Sequence, residues 1–301
     1  MQLAQPRRAV RVRGRWSVER QQALWGVLFV APAVLYFGVF SLYPMLSAVV
    51  LSFFDYDLLQ APRFAGLEVY RELFSSAIFR NSLRVTALYV ALVTVPIWVL
   101  ALGLAELLNR QLRLRGFFRT IYFTPTVIAL VVVAVIWRLM YNGRGPINAM
   151  LDWLTPPVPW LTSGTFALDA VAITAVWRGV GYYAVIFLAG LQNIPHEYRE
   201  AARIDGASEW QVFRHITWPL LMPTTALVVI LSVINTLRHF DTIWIMTNGG
   251  PGDATRVLAI YIYESAFTFF KMGQAAAASV VLFVCVLIFS LFQLRLFRSR
   301  W

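Results

Sequence analysis

The sequence predicts an all-α polytopic membrane protein, and three observations carry that expectation. Of 301 residues, 59% are hydrophobic and 14% charged, whereas a soluble globular chain carries about a quarter charged. Mean hydropathy is +0.65. The apolar residues are gathered into six runs, 24–54, 82–108, 117–140, 167–191, 219–246 and 272–297, each long enough for a helix to cross a hydrocarbon core of about 30 Å.

The first run follows a basic segment, 1–22, and contains Ala31-Pro32-Ala33, a nominal signal-cleavage site. Its apolar character continues well past that site, so it reads as a retained anchor opening a six-span domain, 23–301. The second, third and fifth carry Pro96, Pro125, Pro219 and Pro223; bilayer helices tolerate proline where neighbours satisfy the freed carbonyls. The fourth carries the glycines of Trp177-Arg178-Gly179-Val180-Gly181-Tyr182-Tyr183, and the sixth holds Cys285, the single cysteine.

Net charge is +11, and every basic residue but Lys271 is arginine. So little polar surface leaves little with which to hold nucleic acid. One cysteine and three histidines without HExxH exclude a disulfide framework and a zinc centre of that kind. Basic residues in the connections number sixteen on the side of the two termini and six on the other. The positive-inside rule therefore places both termini of this multi-pass protein in the cytoplasm.

The connection between the fourth and fifth spans, 192–218, is longer than a helical hairpin needs. Residues 194–206 read as a short helix, with Pro195 and Glu197 at its start and Gly206 just past its end. Ser208-Glu209-Trp210-Gln211 has the capping-box form, which predicts a second short helix joined to the first at Gly206-Ala207. Two readings stand side by side: an amphipathic helix anchored in the interface by Trp210, Phe213 and Ile216, and a docking surface built on small Ala201 and Ala202 between charged neighbours.

Glu200-Ala201-Ala202, then Gly206, then Ile216-Thr217-Trp218-Pro219 resembles the EAA motif of permease subunits in binding-protein-dependent ABC importers, in their carbohydrate-uptake branch. Trp218 stands where that family usually has leucine. Arg119-Thr-Ile-Tyr-Phe-Thr-Pro125, Asn248-Gly-Gly-Pro251 and Tyr261-Ile-Tyr-Glu264 are further similarities, so the resemblance covers nearly the whole chain. It implies a type I importer permease fold with a cytoplasmic coupling helix. Glu200, Ala201, Ala202, Asp205, Gly206 and Ala207 would dock on an ATPase.

The resemblance also implies partners: a second homologous permease subunit, two cytoplasmic ATPase subunits that bind the ATP and magnesium, an extracytoplasmic substrate-binding protein, a sugar substrate and membrane lipid. This chain would hold no cofactor of its own. Independently, Lys271 lies outside any GxxxxGK[ST] sequence, so the chain carries no P-loop.

Inside the spans, Ser232, Asn235, Thr236 and His239 recur at i, i+3, i+4 and i+7, one helical face. Such a stripe either hydrogen-bonds neighbouring helices or lines a polar path; the resemblance favours the path. It also implies substrate contacts at Trp177, Gly179 and Tyr182, which match a Trp-x-Gly-x-x-Tyr stretch, and Thr126 joins the set. Arg178 leaves two readings open, an ion pair with Asp241 or contact with an anionic substrate. An intramembrane hydrolase or glycosyl transferase would need paired catalytic groups, and the spans hold no GxSG, HExxH or acidic pair. An ion-coupled secondary carrier is the alternative transporter, but it has no use for the long capped connection.

Overall fold

The computed structural model describes residues 15–110 and 114–298. Most of the expected basic N-terminal segment, with Arg113 and Arg300 of the charge count, lies outside them. The chain divides into two compact units, one ending at Val50 and the other beginning at Leu51. In the first, α1 (Arg15–Phe37), one π-helical stretch (Gly38–Leu42) and α2 (Tyr43–Leu51) form one continuous helix. The π stretch ends where Pro44 has no N–H to give the helical ladder. Residues Arg20–Leu51 are apolar all round, and none of their most apolar window is buried.

The second unit opens with a two-residue hairpin, β1 (Phe54–Asp55) antiparallel to β2 (Arg63–Phe64), with Phe54 opposite Phe64. The first span was expected to reach Phe54; it stops at Leu51 because Phe54 pairs into this hairpin. The helices α3 (Glu68–Ser75), α4 (Ala77–Asn109), α5 (Arg115–Val127), α6 (Leu130–Met140), α7 (Pro146–Leu151) and α8 (Ala167–Gln192) follow. They are succeeded by α9 (His196–Ile204), α10 (Glu209–Val212), α11 (Trp218–Leu237), α12 (Asp241–Thr247), α13 (Leu258–Tyr263) and α14 (Met272–Arg298). Among the described residues five helices are long and apolar enough to cross a membrane, and α5 with α6 makes six if that bent pair is one span.

Two expected spans are broken. The third turns by 96° between α5 and α6, where Ile128 and Ala129 are extended, with ψ of 137° and 132°. Pro125 already lacks the N–H that would bond back one turn. The fifth ends at Leu237; residues 238–240 leave the helix before α12 begins at Asp241.

The core lies where α4 and α8 pack along their lengths. Ala101 and Ala105 on α4 and Ala170 and Ala184 on α8 are fully buried with Phe187, Leu188 and Leu191. Small residues let two backbones approach, which drives helix association in lipid through van der Waals contact. The closest approach is at Gly181 of α8, where an added Cβ would lie 1.8 Å from the Tyr122 carbonyl oxygen of α5. A smaller cluster joins Val69 and Leu73 of α3, Phe79 of α4 and Tyr261 of α13 to Ala277 and Ala278 of α14.

Gly181→Val should therefore push α5 off α8, at a cost of about 1–3 kcal/mol or more from overpacking, and lower the thermal midpoint in detergent. Gly103→Ala, with nothing within 4 Å of its added methyl, should leave that midpoint unchanged or slightly raised.

Candidate functional site

The 192–218 connection is a hairpin closed by two adjacent caps. Helix α9 ends in a Schellman arrangement: the Ala207 N–H donates to the Ala202 carbonyl at 2.9 Å and the Gly206 N–H to the Arg203 carbonyl at 3.0 Å. This needs a left-handed residue, supplied by Gly206 at φ +81°. Two residues after Gly206, Ser208 caps the next helix. Its hydroxyl accepts from the Gln211 N–H at 3.4 Å, while Gln211 Oε1 accepts from the Ser208 N–H at 2.7 Å. The Arg203 guanidinium spans the turn, donating to both oxygens of Glu209 at 2.9 and 3.2 Å.

Glu200, Ala201, Asp205 and Gly206 are exposed, and Ala202 and Ala207 are half-buried at the edge of a hollow of about 360 Å³ completed by Gln211, Val212, His215 and Ile216. Arg199, on the inner side of α9, is half-buried, its Nε and Nη2 without hydrogen-bond partners; its charge is felt by Glu106 of α4 and by Glu209. The expected second short helix is not separate. Helix α10 runs through a π-helical turn, Phe213–Thr217, directly into α11, because no glycine or helix-breaking conformation intervenes. Glu209–Leu237 is thus one rod of 29 residues, about 43 Å at 1.5 Å per residue.

At the far end of that rod the polar stripe divides. Buried Ser232 accepts from Trp98 Nε1 of α4 at 2.7 Å, and buried Thr236 donates to the Ser232 carbonyl at 2.8 Å. His239 Nδ1 shares a 2.6 Å hydrogen bond with Tyr89 Oη, and its Nε2 lies 3.2 Å from Thr242 Oγ1. These three bind their own bundle. Asn235 is exposed and donates to Tyr183 Oη at 3.2 Å. The Tyr182 ring, on the open side of α8, meets Tyr183 edge-on at 5.1 Å.

Thr126 Oγ1 donates to the Arg178 carbonyl at 3.0 Å, and Arg178 Nη2 lies 3.5 Å from the Thr126 carbonyl. The ion pair of Arg178 with Asp241 does not form; Asp241 instead sits exposed in the first turn of α12. Thr126 thus meets Arg178 where α5 touches α8, Asn235 meets Tyr183 where α11 touches α8, and His239, just past α11, lies within electrostatic reach of Arg178. Trp177 does not join them: it turns the other way, edge-on to Trp137 at 5.4 Å, and lines an apolar groove of about 1220 Å³ with Pro96, Gly103 and Tyr122. Gly179 serves packing, since an added Cβ would lie 3.0 Å from Ile97 Cδ1.

Tyr183, Tyr89 and Trp98 belong to this arrangement although sequence reasoning did not single them out as site residues. Tyr183 adjoins the expected Tyr182. Tyr89 and Trp98 are separated from their partners by 150 and 134 residues, with no local signal. At the opposite end of the bundle from the capped hairpin, Arg256 is held by Asp253 and by Glu264, the latter at 2.9 Å from Nε, which ties the turn after Asn248-Gly-Gly-Pro251 to the Tyr261-Ile-Tyr-Glu264 stretch.

A family model described as "binding-protein-dependent transport system inner membrane component" matches residues 97–300. The chain belongs to this family. The permease is 36% identical to the lactose transport system permease protein LacF of Rhizobium radiobacter over 95% of this chain and 98% of that protein. It is 35% identical to the trehalose/maltose transport system permease protein MalF of Thermococcus litoralis, over 94% and 97%. Among solved structures, a bacterial ABC transporter involved in the import of the acidic polysaccharide alginate superposes with a TM-score of 0.80 at 24% identity, covering 94% of this chain and 97% of that one. That likeness is one of fold: the six-span reading, with its bent third span, is an ABC importer permease architecture.

Ser208→Ala should remove one cap of the permease's hairpin, costing about 1 kcal/mol. Faster amide exchange confined to residues 209–212 is the expected readout, and Ser208→Asp should restore slow exchange.

Proposed function

We propose that this chain is a permease subunit of an ABC importer that moves a sugar across the bacterial cytoplasmic membrane by alternating access. It pairs with a second, homologous permease, two cytoplasmic ATPase subunits and an extracytoplasmic binding protein. Both termini and the 192–218 hairpin face the cytoplasm, as the charge distribution of the connections favours. Relatives named for lactose, for trehalose and maltose, and for starch degradation products support the sugar assignment.

The observation that carries the reading is the hairpin. Its exposed Glu200 and Ala201 on α9, with Asp205 and Gly206 in the turn that ends it, are fixed by two caps and one forked ion pair to the start of a single rod. Ala201 and Ala202 let a partner's surface approach the backbone, and Glu200 and Asp205 fix its angle. A push on α9 is delivered through the rod to Asn235 and Thr236, beside the Tyr182–Tyr183 pair. Tyrosine offers a sugar an apolar ring face and a hydroxyl, and Asn235 offers an amide.

Co-expression with its operon neighbours, reconstitution in vesicles and sugar-stimulated ATPase assay test this reading. Gly206→Pro, which cannot take φ +81°, should cut stimulated hydrolysis at least tenfold while the complex still purifies intact. Uptake by the isolated chain with no ATPase present would refute the reading. Asn235→Ala should lower transport with unchanged assembly, since its side chain is not buried in the bundle.

A further inference from the structure

Arg178 lies eleven residues into α8, about 16 Å along the helix axis and so near the middle of a span through a hydrocarbon core of about 30 Å. A cation at that depth is costly unless it is paired or serves a path. Its compensation within the chain is thin. The one hydrogen bond from its guanidinium is the 3.5 Å contact of Nη2 with the Thr126 carbonyl, and Nε is buried with no partner. The ion pairs among the described residues, Arg71–Glu68, Arg203–Glu209, Arg256–Asp253 and Arg256–Glu264, do not include it.

Asp241 acts on the same His239 ring as Arg178 does, but it sits exposed in the first turn of α12 and forms no ion pair with Arg178. His239 lies within electrostatic reach, but both its ring nitrogens are engaged, by Tyr89 and Thr242. Tyr182, one turn further along α8, and Asn235, bonded to Tyr183, are neutral and stand on the open side. The cluster therefore presents hydroxyl and amide groups suited to a sugar and one forked cation suited to a carboxylate or phosphate, to which no carboxylate of the described residues is bonded.

We propose that the carried sugar is itself acidic, a uronate or a phosphorylated sugar, and that Arg178 receives its anionic group during passage. The proposal rests on the sugar-permease reading and narrows its substrate class. Arg178 acts as a specificity residue: it admits the anion, and a neutral sugar leaves it uncompensated.

The test uses the full importer in vesicles, with its binding protein supplied, and three probes: a neutral disaccharide, a uronate disaccharide and a hexose phosphate. The wild type should take up one anionic probe at least tenfold faster than the neutral one, and which anionic probe it prefers identifies the anion. Arg178→Gln should abolish that preference and Arg178→Lys should keep part of it, in complexes of unchanged composition by size exclusion. If the neutral sugar is carried best and Arg178→Gln leaves its uptake unchanged, or lowers uptake of every probe alike, the proposal is overturned while the sugar reading stands. Should Arg178→Gln fail to assemble, the neutral-to-anionic ratio of the wild type and of Arg178→Lys decides between the same two outcomes. If no probe of either kind is carried, the sugar reading falls and the proposal with it.

Discussion

The constraint on which the rest depends is that lipid offers no hydrogen bonds, so every interruption of a membrane helix must be answered by side chains of its own bundle. Two spans are interrupted, and both are answered. At the 96° turn between α5 and α6, Thr126 and Arg178 exchange contacts across to α8, at 3.0 and 3.5 Å. At the gap between α11 and α12, His239 is gripped from two sides by Tyr89 and Thr242, and the Ile245 carbonyl in the last turns of α12 accepts from Arg138 Nη1 at 3.2 Å. These contacts place polar groups within the apolar spans, where a continuous apolar helix would have had none.

The rod formed by α10 and α11 has the opposite character. It is unbroken from the capped hairpin to Leu237, and buried residues recur along it from Val212 and Thr217 through Leu221, Thr225 and Val228 to Val233 and Thr236. A rod buried along its length in this way suits the proposed transmission of displacement, since packed cores shift between discrete arrangements and do not deform continuously. The hairpin at its start owes its shape to local terms only: a left-handed glycine, a reciprocal capping box and an ion pair across the turn. Its outer surface is left free of structural duty, which suits a surface that another subunit engages.

What was legible in the sequence follows from the range of the interaction concerned. Six apolar runs, Gly206 as a helix stop and Ser208 with Gln211 as a capping box all depend on residues a few positions apart, and the folded chain has them. The one-face spacing of Ser232, Asn235, Thr236 and His239 was readable, but the direction each side chain serves was not. That direction depends on Trp98 and Tyr89, which arrive from a distant helix. Pro125 marked a disturbance in the third span, yet the turn falls at Ile128–Ala129, where neither residue is glycine or proline. Before it, α5 seats its Tyr122 carbonyl on Gly181, a contact that only the fold reveals. Trp177 and Tyr182 were both expected to contact substrate, but five residues along a helix put them on well-separated faces, Trp177 lining the apolar groove and Tyr182 exposed against Tyr183.

The central claim is that hairpin and rod move as one body relative to α4. Spin labels at exposed Ile204 of α9, Leu227 of the rod and Leu88 of α4, on a Cys285→Ser background in the assembled importer, test it directly through pulsed-EPR distances with and without trapped nucleotide. The Ile204–Leu227 distance should stay fixed while Leu227–Leu88 changes between the two states. An Ile204–Leu227 distance that changes while Leu227–Leu88 does not would show hairpin and rod moving separately, and would contradict the coupling.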